Sequence, residues 1–162
     1  MRVKVLVSVG LVLWAWSGVP VFAQQEQLKF MSKTDTGITF SGLDEAASSC
    51  GITKAGLDAA VRLPMSRHGF NPLFESVMHP TLFQVSVNVI RRTNIRDCIV
   101  TLSLRVNRIL SIPENGHLVW GVTWRAGDLI GGNPMGMGRR VTNSLENLTN
   151  ELIAAWMIDN PQ

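Results

Sequence analysis

Leu82-Phe83-Gln84-Val85-Ser86-Val87-Asn88-Val89-Ile90 decides the fold. Phe83, Val85, Val87 and Val89 alternate with Gln84, Ser86 and Asn88, the period of a strand with one apolar face. Two further stretches repeat it. Cys98 to Ile109 sets Val100, Leu102, Leu104 and Val106 against Thr101, Ser103, Arg105 and Asn107. Leu118 to Arg125 sets Leu118, Trp120, Val122 and Trp124 against Val119, Gly121, Thr123 and Arg125. The connections, Arg91 to Asp97 and Ser111 to His117, are short, and the second contains Asn115-Gly116. Short links of that kind join antiparallel neighbours, so a meander with one apolar face is predicted.

Two helices flank the meander. Ala55 to Arg67 carries Leu57, Val61 and Met65 at spacings of four, with Thr53 as N-cap and Gly69 as the stop. Pro64 within it predicts a kink or an end near Leu63. In the closing segment Asn143 and Glu146 form a capping-box pattern, and Val141, Leu145, Leu148, Leu152 and Trp156 make one stripe ending before Asn160-Pro161. Two apolar stripes and one apolar sheet face satisfy each other in an α+β two-layer sandwich, with both helices on one side of the meander. Gly37 to Ser41 reads as one short strand, and Gln24 to about Lys33 as a loosely held arm.

The first 23 residues read as an export signal. Arg2 and Lys4 are followed by an uncharged, mostly apolar run from Val5 to Gly18, then Pro20 and a Val21-Phe22-Ala23 cleavage pattern. That run is well short of the ~20 residues needed to span a bilayer, so no membrane span is expected after cleavage. The expected layout is a signal peptide at 1–23, an N-terminal arm at 24–44 and a single domain at 45–162, in the periplasm or outside the cell. Removing Arg2 and Lys4 takes 15 basic residues to 13, against 12 acidic ones, so a formal charge of +3 falls to +1. Near-balance of that kind gives no basic stripe for a nucleic acid. Two cysteines, Cys50 and Cys98, remain, and an oxidising compartment favours a disulfide between them.

No motif nominates a catalytic residue, cofactor or metal. The run Gly131-Gly132-Asn133-Pro134-Met135-Gly136-Met137-Gly138 sits between strand and helix but lacks the ending of a phosphate loop, and reads as a connector within Gly127 to Gly138. Met135 and Met137 lack a third soft ligand, and His68, His79 and His117 are not spaced as a ligand pair. No Gly-x-Ser-x-Gly elbow is present. Asp44, Glu45, Glu114 and Asp128 read as solvated charge, and Trp120, Trp124 and Trp156 as core aromatics. The polar face of the meander stands out as a docking face: Arg105, Arg125, Thr101, Ser103 and Asn88, with Gln84, Ser86 and Thr123 beside them.

Cys50-Gly51-Ile52 before a helix, the valine-rich strand Val85 to Val89, Thr123-Trp124-x-x-Gly127 and a closing helix ending in Asn160-Pro161 together resemble a loosely defined group of small exported bacterial hypothetical proteins. The resemblance covers residues 45 to 161 and implies the helix, meander and closing helix in that order. It carries over no catalytic or ligand residue. The same order looks like the small α/β modules of periplasmic envelope-assembly proteins, a likeness of fold alone. The expected function is a non-catalytic binding or structural module of the cell envelope with a protein or glycan partner, docking through its open sheet face or sheet edge. The alternative is a small hydrolase or metal-dependent enzyme built from loops around Gly127 to Arg140 with His79 or His117. A subunit that needs an obligate assembly partner is the third reading.

Overall fold

The computed structural model describes residues 28–74, 79–92 and 97–161; residues 1–23, read from the sequence as an export signal, and residues 24–27 lie outside them. Five strands form one sheet in the order β2-β1-β3-β4-β5: β1 Thr36–Ser41, β2 Leu73–Phe74, β3 Thr81–Arg92, β4 Asp97–Ser111 and β5 Leu118–Gly132. Strands β3, β4 and β5 are the antiparallel meander. β1 pairs in parallel with both β2 and β3, so the sheet is mixed. Parallel neighbours need a crossover. It is supplied by α1 (Glu45–Ser49) and α2 (Lys54–Arg67), which lie between β1 and β2 in the chain; α3 (Met137–Asp159) closes it.

The helices build one apolar layer under one face of the sheet. α3 lies on β4 and β5, α2 runs alongside α3, and α1 meets β3. Phe83, Val85, Val87, Val100, Leu102, Leu104 and Val106 are buried from the sheet side, with Leu57, Val61, Met65, Val141, Leu145, Leu148 and Leu152 from the helices. The α+β two-layer sandwich is therefore the observed architecture. Thr53 caps α2 by accepting from the Gly56 N–H at 3.1 Å, and Gly69, at φ 78°, follows its end.

Four expectations change. The stretch expected to be loosely held up to Lys33 has Leu28 and Met31 buried in the core, and the strand expected at Gly37 to Ser41 is β1, an inner strand, so the arm drawn at 24–44 is from residue 28 part of the domain. The segment from Leu28 to Phe30 is clasped to the end of α3, because Asp159 Oδ2 accepts from the Leu28 N–H at 2.8 Å and Asn160 Oδ1 from the Phe30 N–H at 3.1 Å. Pro64 neither ends nor shortens α2, which continues to Arg67; the ring is itself buried among the apolar residues of that face, and that packing outweighs one lost hydrogen bond. The capping box at Asn143 is not used. α3 starts six residues earlier, at Met137 after Gly136 in the left-handed region (φ 86°), because Met137 and Val141 both reach the core.

The fourth change concerns β5. Opposite Val106 and Asn107 the register shifts: Val106 faces Trp124 but Asn107 faces Val122. Thr123 is the extra residue of a bulge, its hydroxyl donating to the Val106 carbonyl at 3.3 Å. One inserted residue reverses the faces of everything beyond it. Leu118, Trp120 and Val122, expected in the core, therefore stand on the open face and are exposed. On the other side of the bulge, toward Gly132, parity is kept, and Trp124, Ala126 and Ile130 face the helices.

Candidate functional site

Sequence alternation puts Asn88, Thr101, Ser103, Arg105 and Arg125 on the side of the sheet away from α2 and α3, and the paired register brings them together. Asn88 lies opposite Thr101, Gln84 opposite Arg105, and Arg105 opposite Arg125. No described element covers this face. It is dished into a shallow, open depression of about 620 Å³, whose lining includes Thr101, Ser103, Arg105, Arg125, Gly127 and Leu129, with Asp128 beside them, its Oδ2 accepting from Ser144. Gly127 keeps the floor low, since a Cβ there would meet the Leu102 carbonyl oxygen at 2.7 Å. Thr123 does not join the group, because the bulge turns its hydroxyl to the backbone.

Directly opposed like charges on a sheet repel. Arg105 and Arg125 are such a pair, and among the described residues neither has a carboxylate within salt-bridge distance. Arg105 Nε is shielded from solvent and lacks a hydrogen-bond partner there. A guanidinium is a rigid fork that matches carboxylate or phosphate oxygens. Two of them beside the hydroxyls of Thr101 and Ser103 make a surface that accepts anionic and hydrogen-bonding groups.

The other candidates do not converge into a reaction site. The Gly127 to Gly138 stretch is strand as far as Gly132 and helix from Met137. Between β5 and α3 lies a groove of about 330 Å³, where Ser144 donates its hydroxyl to Asp128 Oδ2 at 2.7 Å and Arg140 holds the Gly131 carbonyl at 2.7 Å. Neither His79 nor His117 lines it. His79 Nδ1 instead meets Asp35 Oδ1 at 3.1 Å, His68 caps the end of α2, and His117 belongs to the β4–β5 turn. Asp44 is the N-cap of α1, accepting from the Ala47 N–H at 2.9 Å, with Glu45 in that helix's first turn. Glu114 is exposed in the β4–β5 turn. Met135 is exposed while Met137 is fully buried, so the two thioethers do not share a site. Among the described residues no three His, Cys, Asp or Glu side chains are grouped for a metal ion.

Cys50 and Cys98 are joined in a disulfide, Cα–Cα 6.3 Å, which ties the end of α1 to β4 inside the core. Trp156 is partly buried: its ring meets Phe70 edge-on at 5.2 Å, Lys33 Nζ sits 4.6 Å from its centroid, and its Nε1 donates to the Met31 carbonyl at 3.0 Å. No helix among the described residues is long and apolar enough to cross a membrane.

No protein-family model matches the chain, and no curated protein matches it. Among solved structures it is similar to a candidate lipoprotein of Caulobacter crescentus, at 15% identity over 86% of this chain and 99% of that one, with a TM-score of 0.36. It is also similar to two dodecameric forms of PelC from Paraburkholderia phytofirmans. One, a variant, is 14% identical over 75% of this chain and 88% of its own, TM-score 0.43. The other is 11% identical over 82% and 92%, TM-score 0.40. At such values the likeness assigns no activity or partner to this chain.

Proposed function

We propose that this chain is an exported, non-catalytic docking module of the cell envelope, which meets a protein or glycan surface through the open face of its sheet. The observation that carries the reading is the opposed pair Arg105 and Arg125, neither of them in a salt bridge among the described residues, in a shallow depression edged by Thr101 and Ser103. A shallow polar dish suits an extended partner, because small-molecule sites are concave and mostly apolar. The amino-terminal export pattern and the disulfide support a periplasmic or secreted location. Membership of the small exported group that the sequence resembles fits the same reading.

The test is a charge reversal. Arg105→Glu combined with Arg125→Glu is expected to leave the thermal transition in place, because both side chains lie outside the core, and to abolish partner capture by crosslinking in the periplasm. Unchanged crosslinks in a folded double variant would remove the open face from the interaction and bring the Asp128–Ser144 groove forward instead.

A further inference from the structure

The two edges of the sheet are unequal. Among the described residues β2 is an edge of two residues, whereas β5 runs for 15 residues and pairs on one side only, with β4. Natural edges of that length are blunted by lysine, proline, inward charge or a covering segment. From His117 to Trp124 this edge carries no Lys, Arg, Asp, Glu or Pro. It carries apolar side chains on both faces instead. Leu118 is 71% exposed, Trp120 51% and Val122 54% on the open face, with Val119 on the other. Ile109 and Leu110 of β4, exposed as well, extend the patch across the strand pair.

We infer that the segment Leu118–Val122 of β5 pairs antiparallel with the same segment of a second copy, about a two-fold axis at Trp120, so that two sheets become one. Three observations select a second copy over another partner. The unpaired backbone asks for a strand, and each copy presents one. Under the two-fold at Trp120, Leu118 falls opposite Val122 and Trp120 opposite Trp120, while Val119 falls opposite Gly121, which has no side chain; apolar meets apolar on one face and large meets small on the other. Nothing charged lies in the segment to oppose like with like, and the chain from residue 24 onward is close to neutral, so long-range repulsion is slight. Leu118, Trp120, Val122 and Ile109 share the open face and Val119 and Leu110 the other, so apolar side chains flank the unpaired edge on both sides. The bulge at Thr123 limits the pairing to this segment, leaving Arg105, Arg125 and their depression outside it. The inference is therefore independent of the docking reading.

Analytical ultracentrifugation of the exported, purified protein across a concentration series tests it, with hydrogen exchange read on the same samples. The wild type should pass from monomer to dimer with rising concentration, and amides 118–122 should gain protection in step. Trp120→Arg and Val122→Lys, both at exposed positions, should each raise the dimer dissociation constant at least ~10-fold without moving the thermal midpoint of the monomer, read at low concentration. Met135→Lys, exposed in the connection between β5 and α3, should not raise that constant. A wild type that stays monomeric up to the highest concentration would overturn the inference. So would a dimer indifferent to both substitutions, or one that leaves amides 118–122 exchanging as in the monomer.

Discussion

At Gly138 the first turn of α3 runs against the backbone of Gly51, and a Cβ added there would overlap the Gly51 carbonyl. Both partners are main chain, so neither can swing aside. Gly138→Ala ordinarily gains about 1 kcal/mol of helix propensity, but forcing a methyl into a packed backbone contact costs more. We expect a net loss of ~1–2 kcal/mol, the overpacking cost less the propensity gain. Gly131, with nothing within 4 Å of the same construction, should accept alanine within ~0.5 kcal/mol. Urea denaturation of both variants measures this, and equal midpoints would mean that α3 and Gly51 are not in contact. Composition marked the whole Gly-rich stretch as a connector, which held for neither end of it. A close approach depends on what lies across the gap, and Gly51 is 87 residues away in the chain. Thr123 was hidden for a different reason. In Leu118-Val119-Trp120-Gly121-Val122 both faces are apolar or empty, so alternation read from Trp124 backward continues smoothly through a bulge that reverses it.

α3 and the disulfide anchor the elements to one another, and each yields a measurable loss. Trp156 closes the end of α3 over Phe70 and Met31; since it is only partly buried, Trp156→Ala should cost about 3 kcal/mol, the low end for such a truncation. Arg105→Ala, outside the core, should cost under ~0.5 kcal/mol. Matching transition midpoints for these two would reverse the assignment of the sheet faces. The Cys50–Cys98 bond spans 48 residues, a loop whose closure is worth ~4 kcal/mol in the chain-entropy model. Cys50→Ser with Cys98→Ser should lower the melting temperature by roughly 10–20 °C, measurable by calorimetry; a shift of a degree or two would show that the crossover is held by packing alone. Strands β3 and β4 and helix α2 were legible because their periodicities are uninterrupted and their caps local. α1 was not: five residues offer no period, and its one signal is Asp44 three positions before Ala47.

The placement of β1 inside the sheet makes the molecule indivisible from residue 28 onward. Deleting residues 24–44, which the sequence marked as an arm, would strip β2 and β3 of the strand between them and remove Leu28, Met31 and Ile38 from the core. Such a truncation should show no cooperative unfolding transition by circular dichroism, and a sharp one would return β1 to the status of an appendage. Alternation could not reveal this, because a parallel neighbour is set by the crossover and not by the strand's own pattern. The open face, in contrast, was legible almost residue by residue, since Asn88, Thr101, Ser103, Arg105 and Arg125 all lie before the bulge where parity holds. What the alternation missed was the apolar half of that face. The clasp between Leu28, Asp159 and Asn160 carries one more consequence, for how the chain could be rewired. With Leu28 hydrogen-bonded to the end of α3, the part of the protein from residue 28 onward is suited to circular permutation: a short linker could join Asn160 to Leu28 while new termini open at Asn115-Gly116, in the exposed turn between β4 and β5, leaving every strand neighbour unchanged.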